Sequence, residues 1–382
     1  MLSAFDDYPI HQTGDPIAHT ASGDLNHYDR YFFNGYTTDG ALYFGAAMGL
    51  YPNRRVIDAA FSVVRDGVQI SVHASALVNA DRGHTAVGPI AVDVREPLRT
   101  LNLKVDTPEH GVRADVTFHA RTVAVEEPRF HNVAGTRVVM DYTRLAQWGT
   151  WDGWIELDGE RIDLHRDTTW GSRDRSWGIR GVGERAPGAP APMAPQFYWL
   201  WAPVNFGDVC THFDVNEHGD GQQWHRSGYV IPVLDDAATD PVLDTGGLAV
   251  SAEPMSSVQC TIDWEPGTRR ATHARIDMTP WNASPMTVDL EPIVTFQMMG
   301  IGYFHPDWSH GVFKGDLAVG GERWNTAELD TLAIQNIHIQ ALCRARLTGR
   351  GDERVGMGIL EQLVLGVHAP SGFTGLLDGA PA

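Results

Sequence analysis

Short segments in which apolar and polar residues alternate, separated by turn residues, run through most of the chain. A period of two is typical of a β-strand that buries one of its faces. Residues 27–51 are rich in Tyr and Phe, and they predict two aromatic strands joined at Thr38-Asp39-Gly40. No stretch has a convincing helical period, and residues 326–347 fit either a helix or a strand. Further strands are predicted over residues 54–64, 68–78, 86–94, 98–106 and 112–124.

One segment is echoed later in the chain. Residues 151–161 read WDGWIELDGER, and residues 313–323, which lie 162 positions further on, read FKGDLAVGGER. The identities include a contiguous Gly-Glu-Arg and align without a gap. Each copy alternates and then reaches a glycine, which predicts a strand entering a hairpin. We interpret the domain-sized spacing as two related β-domains, with chance similarity as the alternative.

The segment GVGERAPGAPAPMAP (181–195) is the one low-complexity stretch, and its prolines exclude a helix or a central strand. A linker or a mobile flap fits this composition. The chain, at 382 residues, exceeds the size at which a single hydrophobic core usually stops growing. We therefore predict an all-β protein with two tandem antiparallel β-barrel or sandwich domains related by pseudo-symmetry, residues 1–185 and 196–382.

The net charge and the cysteine content of the chain exclude several classes of binding partner. A net charge of −19 argues against nucleic acid and against an anionic membrane surface, because both require basic patches. The three cysteines are far apart and form no CxxC pair, so neither a disulfide framework nor a zinc site is indicated. No apolar run approaches the length of a membrane span, and the segment MLSAFDDYPIHQ lacks the features of a signal peptide. We therefore expect a cytoplasmic protein without stable membrane insertion. Its oligomeric state stays open.

The densest unusual segment is TTWGSRDRSWGIR (168–180). An extended chain would put Asp174 and Arg180 on one face, and Arg173 and Trp177 on the other. Asp174 then either forms a structural ion pair with its arginine neighbours or acts as an acid in an apolar cavity. In the first case Asp174 is architectural, and in the second it is catalytic.

Aromatic residues surround this segment. Tyr198, Trp199 and Trp201 follow the low-complexity stretch, while Trp148 and Trp151 precede Asp174. Aromatic faces can line an apolar pocket and stabilise a developing cation, although such runs are often core packing. Glu361 lies in an apolar stretch near the C-terminus and is a second candidate acid, or alternatively a Glu on an exposed strand face.

Motifs for other chemistries are missing from the sequence. There is no GxSxG elbow, no P-loop and no GxGxxG in a strand-to-helix context. The 17 histidines show no spacing typical of a zinc site, which favours surface or hydrogen-bonded histidines. We therefore expect no metal and no cofactor.

The motif RDRSWGIR (173–180), the Gly-Glu-Arg segments and the ending LEQLVLGVHAPSG together resemble a known superfamily. It is the double-lipocalin-like (calycin) superfamily of carotenoid 1,2-hydratases, tocopherol cyclases and AttH-type proteins. The resemblance is strongest to uncharacterised bacterial members with an RDxSWGxR motif. Asp174, Trp177 and Gly178 match directly, whereas Arg175 stands where many relatives carry His. The resemblance implies two lipocalin-like barrels, an apolar cavity and cofactor-free chemistry on isoprenoids or polyketides.

Together these observations predict a cofactor-independent enzyme that acts on an apolar isoprenoid, steroid or polyketide-like substrate. A hydratase, cyclase or isomerase would need an acid in a dry pocket with aromatic walls. The alternative is a non-catalytic lipid or isoprenoid carrier, because the superfamily also contains apparent carriers. The predicted catalytic residues are Asp174 and Glu361. The predicted substrate-binding residues are Trp177, Tyr198, Trp199, Trp201, Arg173, Arg180, Trp148 and Trp151.

Overall fold

The computed structural model describes residues 2–10, 16–183, 195–235 and 252–381. Within these ranges the chain forms β-strands and short 3₁₀ helices and no α-helix, which confirms the all-β prediction. The 3₁₀ helices are Ala4–Asp7, Pro52–Arg54, Pro108–His110, Met298–Ile301, Thr326–Glu328, Ile334–Asn336 and Ala369–Ser371. The first thirteen strands are β1 (His27–Thr37), β2 (Leu42–Tyr51), β3 (Val56–Arg65), β4 (Val68–Leu77), β5 (Ala86–Val87), β6 (Ile90–Glu96), β7 (Thr100–Thr107), β8 (Val112–Ala120), β9 (Val125–Glu126), β10 (Phe130–Ala134), β11 (Arg137–Leu157), β12 (Glu160–Leu164) and β13 (Thr169–Arg180).

The remaining strands are β14 (Phe197–Asn205), β15 (Val209–Glu217), β16 (Gln223–Pro232), β17 (Glu253–Trp264), β18 (Ala271–Pro280), β19 (Met286–Gln297), β20 (Leu317–Asn325), β21 (His338–Thr348) and β22 (Arg354–Leu365). The alternation correctly predicted strands β1–β4 and β6–β8, whereas it gave no prediction for β15–β19. The turn predicted at Thr38-Asp39-Gly40 joins β1 to β2, and Gly40 has the positive φ of 78° that the turn requires. Residues 326–347, which fitted a helix or a strand, form two 3₁₀ turns and then most of β21.

The chain divides into two compact units. The first unit comprises Met1–Gly188, Leu234–Leu248 and Gly300–Trp324. Its main sheet is antiparallel where registers are defined and nearly closes into a barrel, in the order β20-β4-β3-β2-β1-β13-β11-β8-β7-β6-β5. The apolar inner face of this sheet forms one core centred on Trp151, whose ring meets Phe33, Phe44 and Phe118 edge-on. Aromatic side chains therefore fill this barrel.

The second unit comprises Ala189–Val233, Ala249–Met299 and Asn325–Ala382. Its sheet is a closed barrel of eight strands in the order β14-β15-β16-β17-β18-β19-β21-β22. The inner face carries small apolar residues, among them Ala202, Ala274, Ala341 and Ala345, together with larger residues such as Leu200 and Leu360. Eight strands enclose a space just wide enough for such side chains or for one small ligand.

The two Gly-Glu-Arg segments are not equivalent, and the hairpin predicted for the second segment is wrong. In the first copy Asp158 and Gly159 form the turn between β11 and β12, with positive φ angles of 52° and 84°. In the second copy Gly321 lies inside β20, and the chain continues as one strand. Residues 313–323 also belong to the first unit rather than the second. An alternating segment that ends in Gly-Glu-Arg is compatible with both structures. The repeated motif is therefore not evidence for a duplicated domain.

The predicted linker, residues 181–195, falls mainly on residues 184–194, which lie outside the described residues. The domain limits of 1–185 and 196–382 therefore stay a prediction. No helix in the described part of the chain is long and apolar enough to cross a membrane.

Candidate functional site

The predicted site residues of β13 lie on two different faces of the first unit. Residues directly opposite each other in an antiparallel pair share a face. Arg173 lies opposite Phe33, a member of the apolar core, so its side chain points into the barrel. Asp174 lies opposite Phe32 and Ala146 and points outwards, on the same face as Arg180. The sequence analysis placed the side chains of Asp174 and Arg173 on opposite faces of an extended segment, and the structure has this arrangement.

Arg173 is completely buried and has well-defined partners. Its Nη1 and Nη2 donate to Asp7 Oδ1 and Oδ2 at 2.6 and 3.2 Å, and Nε donates to Gln147 Oε1 at 3.0 Å. Asp7 Oδ2 also accepts the backbone N–H of Leu98. This buried bidentate pair ties the N-terminal segment into the barrel of the first unit.

Arg175 and Trp177 share the inner face with Arg173. The Arg175 guanidinium pairs with the buried Asp29 and lies 4.3 Å from the ring centroid of Tyr31. Trp177 lies 6.0 Å from the same guanidinium and is only partly buried. The Arg at position 175 therefore has a buried carboxylate partner of its own inside this unit.

Trp148 and Trp151 point to opposite faces of β11 in the first unit. Trp151 belongs to the apolar core, and its Nε1 donates to the Asn34 carbonyl at 2.9 Å. Trp148 lies opposite Ser172 on the outer face and is also completely buried. Of the two, Trp148 shares the face of Asp174.

A strap, defined here as residues 300–316, crosses the outer face of β2, β3 and β4 in the first unit. Gly300 lies against the side chains of Ser62, Gln69 and Ser71, where a Cβ would come within 3 Å of polar atoms. The Ser75 hydroxyl donates to the Val312 carbonyl, and the Gly311 N–H donates to Asp58 Oδ2 at 2.6 Å. The strap therefore encloses a face rich in polar side chains.

Asp58 is a candidate acid that the sequence reasoning missed. Burial raises the pKa of Asp58 to about 6, and the hydrogen bond from Gly311 only partly offsets this. With Ser309, His310 and Trp308 it borders a cavity of about 10 Å³, which is near the least space that holds one water molecule. The only sequence signal was an acidic residue at an alternating position of an apolar strand, VIDAAFSVV.

Asp58→Asn gives the first testable expectation, concerning stability. A carboxyl whose folded pKa is raised costs stability as the pH rises from its unfolded value near 4 to about 6. The neutral Asn avoids this cost, so we expect it to be more stable than wild type by about 3 kcal/mol at pH 8 and equal near pH 4. Urea unfolding at both pH values measures the difference. The buried His73 is present in both proteins, so its contribution to the pH dependence of stability cancels in the difference. A deficit of the variant at pH 8 would contradict the expectation.

Two arginines of the sheet, Arg30 and Arg180, contact a tyrosine of the strap, Tyr303. Arg30 donates to His310 Nδ1 at 2.9 Å, which leaves the His310 proton on Nε2 to donate to the Ile301 carbonyl at 2.8 Å. Arg30 and Arg180 lie 4.8 and 5.6 Å from the ring centroid of Tyr303. Arg180 also lies 4.8 Å from the ring of Tyr28, close to Asp174. The predicted Arg180 is thus part of an electropositive, aromatic cluster in the first unit.

One group in the first unit has the side chains of a metal site, namely His73, His305 and Glu322. His305 Nδ1 accepts the backbone N–H groups of Asp307 and Trp308 at 3.0 and 2.9 Å. The proton of neutral His305 therefore sits on Nε2 and is donated to Glu322 Oε2 at 2.9 Å. A metal ion would need that same Nε2 as a lone pair, so the arrangement of His305 does not fit metal binding.

In the second unit the predicted residues again divide between two faces. Tyr198 belongs to the barrel core, and its ring stacks on His368 with the centroids 3.8 Å apart. Trp199, Trp201 and Glu361 point outwards from β14 and β22, with Trp201 directly opposite Glu361. The structure therefore brings Glu361 together with two of the predicted tryptophans.

Glu361 is 2% exposed and accepts two short hydrogen bonds. His338 Nε2 lies 2.6 Å from Glu361 Oε1, and Gln340 Nε2 donates to Oε2, also at 2.6 Å. The His338 ring stands edge-on to Trp199, with the centroids 5.8 Å apart. A buried carboxylate–imidazole pair beside indole rings can hold and transfer a proton.

The same outer face of the second unit extends across β15 and β16. Asp214 Oδ1 accepts from Trp199 Nε1 at 2.8 Å, and Asp214 Oδ2 lies 3.2 Å from His225 Nε2. His212 Nε2 lies 2.7 Å from the Ser227 hydroxyl. All of these residues except Trp199 are buried, as the hydrogen-bonded interpretation of the histidines predicted.

Sequence reasoning missed His338 and Gln340, and it did not connect Asp214 with Trp199. His338 and Gln340 alternate in β21, and Asp214 and His212 alternate in β15, so each polar residue sits on the face opposite the apolar core. A row of His, Asp and Gln at alternating positions was therefore the available signal. It does not distinguish a buried polar face from a solvated one.

Comparison with known proteins supports the fold. Kievitone hydratase from Nectria haematococca is similar in structure, with a TM-score of 0.52, 9% identity and 88% of each chain covered. A putative AttH from Nitrosomonas europaea is similar with a TM-score of 0.52 and 13% identity, over 92% of this chain and 97% of that one. CghA is similar at a TM-score of 0.48 and 12% identity. At 9% and 13% identity, the likeness to kievitone hydratase and to the AttH protein concerns the fold alone, and it confirms the double-barrel architecture.

A search of curated proteins finds no match. The family model that matches covers residues 2–374 and carries the description "Family of unknown function (DUF8625)". Because the match spans nearly the whole sequence, the chain belongs to this family.

Proposed function

We propose that this protein is a cofactor-independent enzyme that performs acid–base chemistry on an apolar isoprenoid, steroid or polyketide-like substrate. The reaction class is that of a hydratase, cyclase or isomerase. The observation that carries the proposal is the buried Glu361–His338 pair beside Trp199 and Trp201 in the second unit. The kievitone hydratase of similar fold supports it as an analogy.

The proposed chemistry follows from the atoms of the pair. A proton held between His338 Nε2 and Glu361 Oε1 is delivered to a substrate atom at this face and recovered after the step. Gln340 keeps the carboxylate oriented through Oε2. The indole faces of Trp199 and Trp201 exclude water and stabilise positive charge that develops on the substrate.

A lipid or isoprenoid carrier is the alternative that this pair argues against. Burying a carboxylate and an imidazole is costly in free energy unless they are hydrogen-bonded to each other. A proton-transfer enzyme requires a titratable pair of this kind at its site, whereas binding an apolar cargo does not. The presence of an enclosed, hydrogen-bonded Glu361 therefore favours catalysis.

Deuterium incorporation into representative apolar probes tests this proposal. Purified protein is incubated in D₂O with farnesol, progesterone and a linear 1,3-diketone, and the masses of the recovered probes are measured by mass spectrometry. We expect protein-dependent incorporation into at least one probe above a heat-denatured control. Binding of a probe without any exchange would instead identify a carrier.

Asp174, the first of the two predicted acids, is tested in the same assay. Asp174 is only partly buried, so water still solvates its ionised form. We therefore expect Asp174→Asn to lower the exchange rate by less than about tenfold, with exposed Asp163→Asn as the matched control. A loss of about a hundredfold in Asp174→Asn, with Glu361→Gln near wild type, would move the acid to Asp174.

A further inference from the structure

A cavity of about 360 Å³ opens at one end of the closed barrel of the second unit. The β14–β15 and β21–β22 turns meet there with the end of β16 and the starts of β17 and β19. Ligand pockets of small molecules begin at about this size and are common at the mouths of β-barrels. The cavity leads to the inner face of the barrel, whereas Glu361 points from the outer face.

The floor of this cavity is apolar. Val209, Val230, Met286 and Leu347 border it, and all four belong to the barrel core. At about 30 Å³ per molecule, the volume that liquid water occupies, the cavity holds roughly a dozen non-hydrogen atoms. An aliphatic chain of that length gains free energy by displacing water from these four side chains.

The rim of the cavity is charged, but its charges cancel. Arg354 donates to both carboxylate oxygens of Asp208 at 2.8 and 2.9 Å, and it also donates to the carbonyls of Arg350 and Asp352. Arg350 pairs with Glu253 through Nη1. Among the residues that line the cavity, two arginines face two carboxylates, so the lining carries no net charge to attract an ionic head group.

Arg350 retains donors for a ligand. Its guanidinium has five N–H donors, and only Nη1 is used by Glu253. The side chain is 45% exposed, so it can turn towards an acceptor above the cavity. A neutral oxygen, such as a ketone, alcohol or ester oxygen, can accept this hydrogen bond without displacing Glu253.

We propose that the barrel mouth of the second unit binds a small, neutral, apolar molecule with one oxygen at its end, of roughly a dozen non-hydrogen atoms. This site is separate from the proposed proton-transfer face and does not depend on it. The aliphatic chain occupies the floor formed by Val209, Val230, Met286 and Leu347. The terminal oxygen accepts from Arg350.

Three probes of matched length test the proposal by isothermal titration calorimetry, namely 2-undecanone, decanoate and decylamine. We expect 2-undecanone to bind at least about tenfold more tightly than either ion, because the rim charges cancel. Val209→Trp, which fills the cavity, should abolish binding of the ketone. Equal or tighter binding of decanoate by the wild type would overturn the proposal, and so would unchanged ketone binding in Val209→Trp.

A second variant keeps the test valid if Val209→Trp fails to fold. Glu253→Gln removes one partly buried carboxylate and leaves Arg350 without its anionic partner. We expect this variant to gain affinity for decanoate by about tenfold, with ketone affinity unchanged, because the rim then carries one positive charge. The exposed Glu353→Gln is the matched control. If the variant gained no affinity for decanoate, the proposal that the rim charges of the wild type cancel would be overturned.

Failure here is distinguishable from failure of the proposed enzyme. The calorimetric readout involves no turnover, and Glu361→Gln should keep its affinity for 2-undecanone, since Glu361 lies on the opposite face of the barrel wall. Loss of ketone binding in Glu361→Gln would overturn the independence of the two sites.

Discussion

Replacing Glu361 by Gln is expected to lower the rate of deuterium exchange by about a hundredfold or more, the usual contribution of general acid–base catalysis. Gln has nearly the same shape and can still accept from Gln340, but it cannot take up or release a proton. Its amide can donate to His338 Nε2 in the other imidazole tautomer, so the buried group keeps its partners. The loss should therefore appear in the rate and not in the melting temperature.

The measurement compares exchange rates of wild type, Glu361→Gln and Glu353→Gln under identical conditions, with melting curves for all three. Glu353 is an exposed glutamate near the start of the same strand, β22, and should behave like wild type. A variant Glu361→Gln that folds and exchanges at the wild-type rate would remove Glu361 from the mechanism.

Replacing Arg173 by Met is expected to lower the free energy of unfolding of the first unit by roughly 3–5 kcal/mol, the usual cost of leaving a buried ion without its partner. Arg173 and Asp7 are both completely buried and joined by two hydrogen bonds. Without the guanidinium, the Asp7 carboxylate stays buried and charged. Of the hydrogen bonds to this carboxylate described above, it then keeps the one from the Leu98 N–H. The expected effect is among the largest for a single change in this unit.

Urea unfolding followed by tryptophan fluorescence measures this effect. The double variant Asp7→Asn and Arg173→Met should recover much of the loss, because it removes the orphaned charge. Arg161→Met is the control, since Arg161 is 54% exposed and its pair with Asp163 is worth little. If Arg173→Met cost no more than Arg161→Met, the buried pair would not stabilise the unit.

Alternation along the sequence was sufficient to identify the fold class and many of the strands. The aromatic strands, the Gly40 turn and the strand over 68–77 follow from local rules, because side-chain direction in a strand depends only on the residue's parity. The separation of Asp174 from Arg173 followed from the same rule. The hairpin predicted at 313–323 was wrong for the same reason. A local pattern does not show whether a glycine forms a turn or lies within a continuous strand.

The partners of the functional side chains could not be read from the sequence. His338 lies 23 residues before Glu361, and Gly311 lies 253 residues after Asp58, yet each pair is in hydrogen-bond contact. Such contacts depend on which strands are neighbours and in which register they pair. The burial that raises the pKa of Asp58 likewise comes from a strap remote in the sequence.

What the sequence by itself determined about this protein is its all-β class, the places of the strands between residues 27 and 120 and the set of aromatic and acidic residues available for chemistry. These properties are local, because they depend on the period of two and on turn residues. Only the tertiary structure decided that Arg173 holds Asp7, that Trp151 fills a core, and that Glu361 meets His338. The physical reason is that burial and hydrogen bonding are set by neighbours from distant strands, which periodicity does not specify.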